Sequence, residues 1–193
     1  MKWGVRRYQN YDGTRISANK IYKEASKREP VITKDISSSV KRNGGSMHGL
    51  EHRLKTKESI SRKAAFKEIK DAVRYTAILS ENDFVKQYNG IKKSLGDKGY
   101  KEIRCKNNFE EFRKGKVSHK SVQCNYQTKD GYVFEVQYQT SASQKAKDKK
   151  VPLYEEARNP KTTAKRKGEL VAQMIMLANN VNDPKDIHKI KSY

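Results

Sequence analysis

The sequence predicts an α+β domain: a mixed sheet of four to five strands with helices packed on one face. Three observations carry that expectation. Four segments alternate apolar and polar residues at the strand period. Segments with helical spacing precede, interrupt and follow them. Hydrophobic residues make up only 34% of the 193-residue chain and charged residues another 34%, enough for one modest core if some of the chain lies outside it.

Residues 1–48 contain DGT, SSS and NGGS and no sustained period, so they are expected to form a basic, poorly ordered extension and linker. The folded domain is expected over 49–193. A helical reading works from Leu50 to about Lys70 through Leu54, Ile60, Ala64, Ala65 and Ile69. VRYTAIL (73–79) is the first strand. SENDFVKQYNGIKKSLGDKG follows as a helix, with Ser80 as N-cap, Asp83 at the capping-box position and Gly96 or Gly99 at its end. YKEIRCKN (100–107) and HKSVQCNYQT (119–128) are the next two strands. Lys129-Asp130-Gly131 then signals a hairpin into YVFEVQYQT (132–140). A lysine-rich stretch leads to a short helix near LYEEAR. A last helix, about Thr163 to Asn180, carries a stripe of Leu170, Val171, Met174, Ile175, Leu177 and Ala178 that reads as core.

Each strand offers one mostly apolar and one mostly polar face. Glu135, Gln137 and Gln139 share a side, opposite Phe134, Val136 and Tyr138. Ser121, Gln123 and Asn125 oppose Val122, Cys124 and Tyr126. Glu102, Arg104 and Lys106 oppose Ile103 and Cys105. Arg74, Thr76 and Ile78 oppose Val73, Tyr75, Ala77 and Leu79. Solvated strand faces favour Thr, Lys and Glu; amides gathered around a carboxylate suit a binding cleft. Asp71, at the start of the first strand, and Glu135 could together hold Mg²⁺ through oxygen ligands. Arg53, Lys55, Lys57, Arg62 and Lys63 form a basic ladder within three helical turns, able to grip a triphosphate or to serve as a solvated face.

The net charge of +21 is spread as +7 over 1–48, +8 over 49–140 and +6 over 141–193. Such a field favours polyanions without choosing among nucleotides, RNA and DNA. Cys105 and Cys124 are expected to be buried, unpaired thiols of a reduced, cytoplasmic protein. The longest apolar runs are too short to span a membrane. HGLEH (48–52) matches a zinc-helix pattern but is interrupted by Gly49.

Taken in order, several segments resemble the RelA/SpoT-like nucleotide synthetases. RLKTKESISRK resembles their R-x-K-x-x-x-S-I-x-x-K helix, and KDAVRYTAI their strand opening on a magnesium-binding aspartate. HKSVQ stands where they carry Y-R-S-L-H, and GYVFEVQYQT resembles their strand with a catalytic glutamate. The likeness covers about residues 50–160. It is closer still to a divergent branch found in phage-encoded and polymorphic-toxin proteins, through DAVRYT, GYKEIRCKN, GYVFEVQYQTSAS, Lys145 or Lys147, and VPLYEEAR. MKWGVRRYQNYDGTRI resembles a segment of phage head-associated proteins.

The resemblance implies Mg²⁺-dependent transfer of pyrophosphate from ATP to the 3′-hydroxyl of a nucleotide or a tRNA end. It implies ATP phosphates on Arg53, Lys55 and Lys63. Asp71 would hold the metal, with Glu135 as base or second ligand. Arg74, Gln137 and Arg158 would support the site. His119, Ser121, Gln123 and Gln139 would face the acceptor. His119 replaces the family's base-stacking tyrosine, Gln123 the histidine of that segment, and Gln139 and Val151 the histidines of the divergent branch. Implied partners are the acceptor, an antitoxin or phage head proteins. The implied location is a host cytoplasm, with virion association as a second option. The rival reading is a noncatalytic basic module of phage structure or packaging that binds nucleic acid.

Overall fold

A computed structural model describes residues 17–64, 69–115, 117 and 119–193; residues 1–16, with the head-protein-like segment, lie outside them. Its centre is a five-stranded mixed sheet in the order β1-β2-β5-β4-β3. The strands are β1 (Ser46–His48), β2 (Arg74–Ile78), β3 (Lys101–Asn107), β4 (Val122–Gln127) and β5 (Val133–Gln139). β2 runs parallel to β5, and every other pairing is antiparallel. The helices are α1 (Ala18–Arg42), α2 (Lys57–Ala64), α3 (Phe84–Asp97), α4 (Asn108–Arg113), α5 (Ser141–Arg158) and α6 (Ala164–Asn179).

The expected extension is corrected for its described part. Residues 18–42 form a helix of 25 residues, capped by Ser17. Its Ile21, Ala25, Ile32, Ile36 and Val40 are buried in the core, at spacings of four and seven residues that make one apolar stripe. Pro30 inside it and the Ser-rich and Gly-rich flanks mask that stripe in the sequence. NGGS is the turn into β1, with Gly44 at φ 78°.

The apolar sheet face carries the core. Tyr75, Tyr126, Phe134, Val136 and Tyr138 pack against Phe84, Tyr88, Ile91 and Leu95 of α3 and against α1. Burying each such side chain contributes about 1.5–3 kcal/mol. The helix after β2 begins at Phe84, later than expected. Asp83 holds the N-cap position without a side-chain cap bond, and the Ser80 N–H donates to Gln87 Oε1 at 2.8 Å. Gly99, at φ 90°, follows its end. The hairpin turn places Gly131 at φ 88°, a left-handed conformation that glycine adopts without steric cost.

One side chain changes faces. A register shift between Glu102 and Arg104 pairs Glu102 with Tyr126, so it points into the core instead of lying beside Arg104. Its carboxylate accepts from Tyr88, Tyr126, Tyr193 and Lys92. Burial disfavours its charge, but these donors outweigh it and hold the carboxyl below its ordinary range. Cys105 and Cys124 face each other across β3 and β4 as buried free thiols.

The long helical reading of 50–70 divides. Leu50–His52 is one 3₁₀ turn after a left-handed Gly49, and helix resumes only at Lys57. The HGLEH segment therefore does not form a zinc-binding helix. Between the two, Leu54 bridges Val73 and the Lys55 N–H donates to the Ala72 carbonyl at 3.0 Å. That extended stretch lies along β2.

Candidate active site

The polar face assembles in rows across the sheet. Strand register lines up Arg74, Glu135, Asn125 and Arg104 in one row. Thr76, Gln137, Gln123 and Lys106 form the next. Carboxylate and amides thus converge because β5 lies between a parallel and an antiparallel neighbour, an arrangement that spacing within single strands does not reveal.

Two clusters of charged side chains involve β2, β5 and the segments leading to them. On the β2 side, Asp71 is 6% exposed. Lys63 Nζ lies 2.7 Å from its Oδ1 and Lys55 Nζ 3.1 Å from its Oδ2. Burial would raise its pKa, but the two ammonium groups overcome this and keep the carboxyl below the usual carboxylate range. The 53–55 stretch beside β2 brings Lys55 there, and α2 brings Lys63. Glu135 Oε1 accepts from Gln137 Nε2 at 2.7 Å, and Arg74 Nη1 is 4.0 Å away. Lys147 of α5 completes a relay by donating to Gln137 Oε1 at 2.9 Å.

Beyond this row, a cavity of about 450 Å³ opens between β4, β5, α5 and α6, within the roughly 300–1,000 Å³ usual for small-molecule sites. His119, Ser121, Gln123, Gln137 and Gln139 line it. His119 Nε2 lies 3.0 Å from Asn108 Nδ2 and 3.2 Å from Gln123 Nε2. Both amides donate, so the imidazole is neutral with its proton on Nδ1. Burial, then Lys150, Lys106 and Lys147, lowers its pKa to about 4. Burial also lowers Lys147 to about 8, helped by Arg74, and Lys150 to about 8, helped by Lys120. Crowded cations that resist protonation create a site whose charge an anion relieves.

Six expected residues, Glu135, Asp71, Lys55, Lys63, Arg53 and Arg158, are not in the cavity lining. Arg53 gives its guanidinium to Glu29 of α1 and to the Leu50 carbonyl, while its own carbonyl accepts from Arg74 N–H at 2.8 Å. Arg158, at the end of α5, pairs with Glu155 at 3.1 Å and lies 6.0 Å over the Tyr154 ring. Sequence reasoning missed Asn108, Lys120, Lys150 and Tyr154. Lys147, Lys150, Val151 and Tyr154 do show helical spacing, but Pro152 makes the segment read as a loop before a short helix. In the structure α5 runs through Pro152 for 18 residues.

No protein-family model and no curated protein matches the chain. Solved structures do. The small alarmone synthetase 2 from Bacillus subtilis superimposes with a TM-score of 0.53 at 18% identity, over 82% of this chain and 87% of that one. The chain has the small-alarmone-synthetase fold. A GTP pyrophosphokinase family protein from Streptococcus pneumoniae gives 0.50 at 15% identity over 82% and 85%. The type VI effector Tas1, crystallised with its immunity protein, gives 0.50 at 16% over 84% and 95%. Within this fold, Glu135 lies beside Arg74 on the polar sheet face, and Asp71, bound by Lys55 and Lys63, precedes β2.

Proposed function

We propose that the chain transfers the β,γ-pyrophosphate of ATP to the 3′-hydroxyl of a nucleotide or an RNA end. The acceptor oxygen forms a bond to the β-phosphorus, the bond from that phosphorus to the α-phosphate oxygen breaks, and AMP leaves. The proton of the attacking hydroxyl passes to Glu135. The observation that carries this reading is the Arg74–Glu135 row, where Gln137 and Lys147 link Glu135 to the basic cavity, with the lysine-bound Asp71 just before Arg74 in the chain. The fold shared with a small alarmone synthetase and a GTP pyrophosphokinase family protein supports it.

Each residue has a part. Lys55 and Lys63 exchange Asp71 for ATP phosphates, and Arg74 neutralises charge between donor and acceptor. Arg53 supports Arg74 through its backbone and joins the phosphates if its Glu29 pair opens. Gln137, held by Lys147, fixes one oxygen of Glu135 and leaves the other for the acceptor hydroxyl. His119, Ser121, Gln123 and Gln139 face the acceptor, and Arg158 supports the far end of α5. Asp71 and Glu135 offer only hard oxygen donors, a set that fits Mg²⁺, which when bound supplies charge neutralisation at the phosphates.

Glu135→Gln is expected to lose about a thousandfold or more of turnover, in the upper range for removing a positioned general base, with the same circular dichroism as the parent. Full activity in that variant would remove Glu135 from the mechanism.

One observation favours a second reading. The +21 charge is spread along the whole chain, as in a module that holds nucleic acid without chemistry. Its mark is steeply salt-dependent RNA or DNA binding with no AMP released from ATP. By likeness to the effector crystallised with its immunity protein, we also assign the chain a toxic role restrained by a protein inhibitor. Action in a host cytoplasm and a phage origin are part of the same proposal. No helix among the described residues is long and apolar enough to cross a membrane.

A further inference from the structure

The inner stripe of α5 divides into two chemistries. Lys147 and Lys150 lie on the turns nearer the sheet; Val151 and Tyr154 follow on the same stripe, one turn outward, with Met174 of α6 also lining the cavity. These residues recur at three- and four-residue spacing, so they form one helix face. Tyr154 is the single Phe, Tyr or Trp ring among the described residues that line the cavity. It is 55% exposed. Arg158 covers it at 6.0 Å.

His119, by contrast, is committed at its ring edge. Its Nε2 accepts from two amides, which makes it a polar contact in the cavity wall. A further polar atom has no hydrogen-bond partner among the described residues: Gln139 is 1% exposed and lines the cavity, and its Nε2 donates to none of them. A buried amide left this way costs stability unless a ligand or water satisfies it. The cavity therefore combines an aromatic platform, a buried donor and two lysines in line, which suits a nucleotide with a planar base and an anionic tail.

We infer that the acceptor nucleotide binds along the inner stripe of α5, its base stacked on Tyr154 and its phosphates against Lys147 and Lys150. This rests on the pyrophosphate-transfer reading for the word acceptor. The binding site itself is independent of that chemistry. Selection of the acceptor base thereby passes from position 119 to α5, and Gln139 Nε2 supplies a hydrogen bond to the bound nucleotide.

The test measures equilibrium binding of GDP, ADP, guanosine and adenosine by calorimetry, and label transfer from ATP. The parent is compared with Tyr154→Ala, Tyr154→Phe, His119→Ala and Lys150→Met. Tyr154→Ala is expected to weaken the diphosphate that the parent binds by about tenfold or more, the loss typical of a base–aromatic stack. Tyr154→Phe keeps the ring and stays near the parent. The acceptor KM follows the same pattern while kcat at saturating acceptor and the affinity for a nonhydrolysable ATP analogue hold steady. Lys150→Met weakens the diphosphates more than the nucleosides. Equal binding by Tyr154→Ala and the parent overturns the inference, as does a parent that binds none of the four compounds. A parent that binds diphosphates through Tyr154 but transfers no label upholds the α5 site and removes the pyrophosphate-transfer reading instead.

Discussion

Lys147 shows how one side chain can tune the site. Burial, and then the facing Arg74 guanidinium, lowers its pKa to about 8, against the pull of Asp148 and Glu135. Below that pH its ammonium holds Gln137, and Gln137 holds Glu135. The account predicts that kcat/KM, which reports the free enzyme, falls as pH rises through about 8. Lys147→Arg, which stays charged, should move that fall upward. An unchanged profile in the variant would detach Lys147 from turnover. His119 gives a stability signature of opposite origin. Its folded pKa of about 4 lies below the roughly 6.5 of an unfolded histidine. Between those values the unfolded chain binds the extra proton, so stability falls as pH drops through that window. His119→Gln should flatten this slope in denaturant titrations at pH 6.5 and 5; an unchanged slope would mean that the imidazole is not buried neutral. Alternation within β5 made one face of Glu135, Gln137 and Gln139 legible, whereas Gln123 of β4 joins that face only through strand register. Glu102 was misread because one bulge shifts parity, and a bulge leaves no mark on alternation.

At the scale of elements, α1 and α5 were the least legible. Each carries an interior proline, Pro30 and Pro152. Proline removes a helix hydrogen bond at a cost of about 3 kcal/mol, which sequence reasoning takes as an end. Tertiary packing overrides that cost: α1 is buried against the core, and α5 packs against α6 and the sheet. One tie between α1 and the strand region is the Glu29 carboxylate, which accepts from Arg53 and, within α1, from Thr33; Tyr75 of β2 donates to the Glu29 carbonyl at 3.3 Å. Glu29→Ala is expected to lower unfolding free energy by about 1–2 kcal/mol, discounted because the Arg53 side chain is partly exposed. A double-mutant cycle with Arg53→Ala should show coupling, since either change breaks the same pair. Additive effects would mean that Arg53 contributes nothing through Glu29. The α5–α6 hairpin gives the cavity its outer wall, so the proposed acceptor selection falls to these helices and the proposed chemistry to the sheet.

The whole molecule joins a narrow site to a broad positive field. The sheet order sets β2 beside β5, with the lysine-bound Asp71 just before β2 and the cavity lined from β4, β5, α5 and α6. Net charge of +21 favours any polyanion, so nucleic-acid binding alone does not separate an enzyme from a binding module. Transfer does. The deciding measurement incubates the protein with γ-labelled ATP, Mg²⁺ and, separately, GDP, GTP, ADP and bulk tRNA. The account predicts label on at least one acceptor with AMP released in equal amount, abolished by Glu135→Gln. A folded protein that binds nucleotide yet moves no label and releases no AMP with any of them would contradict it.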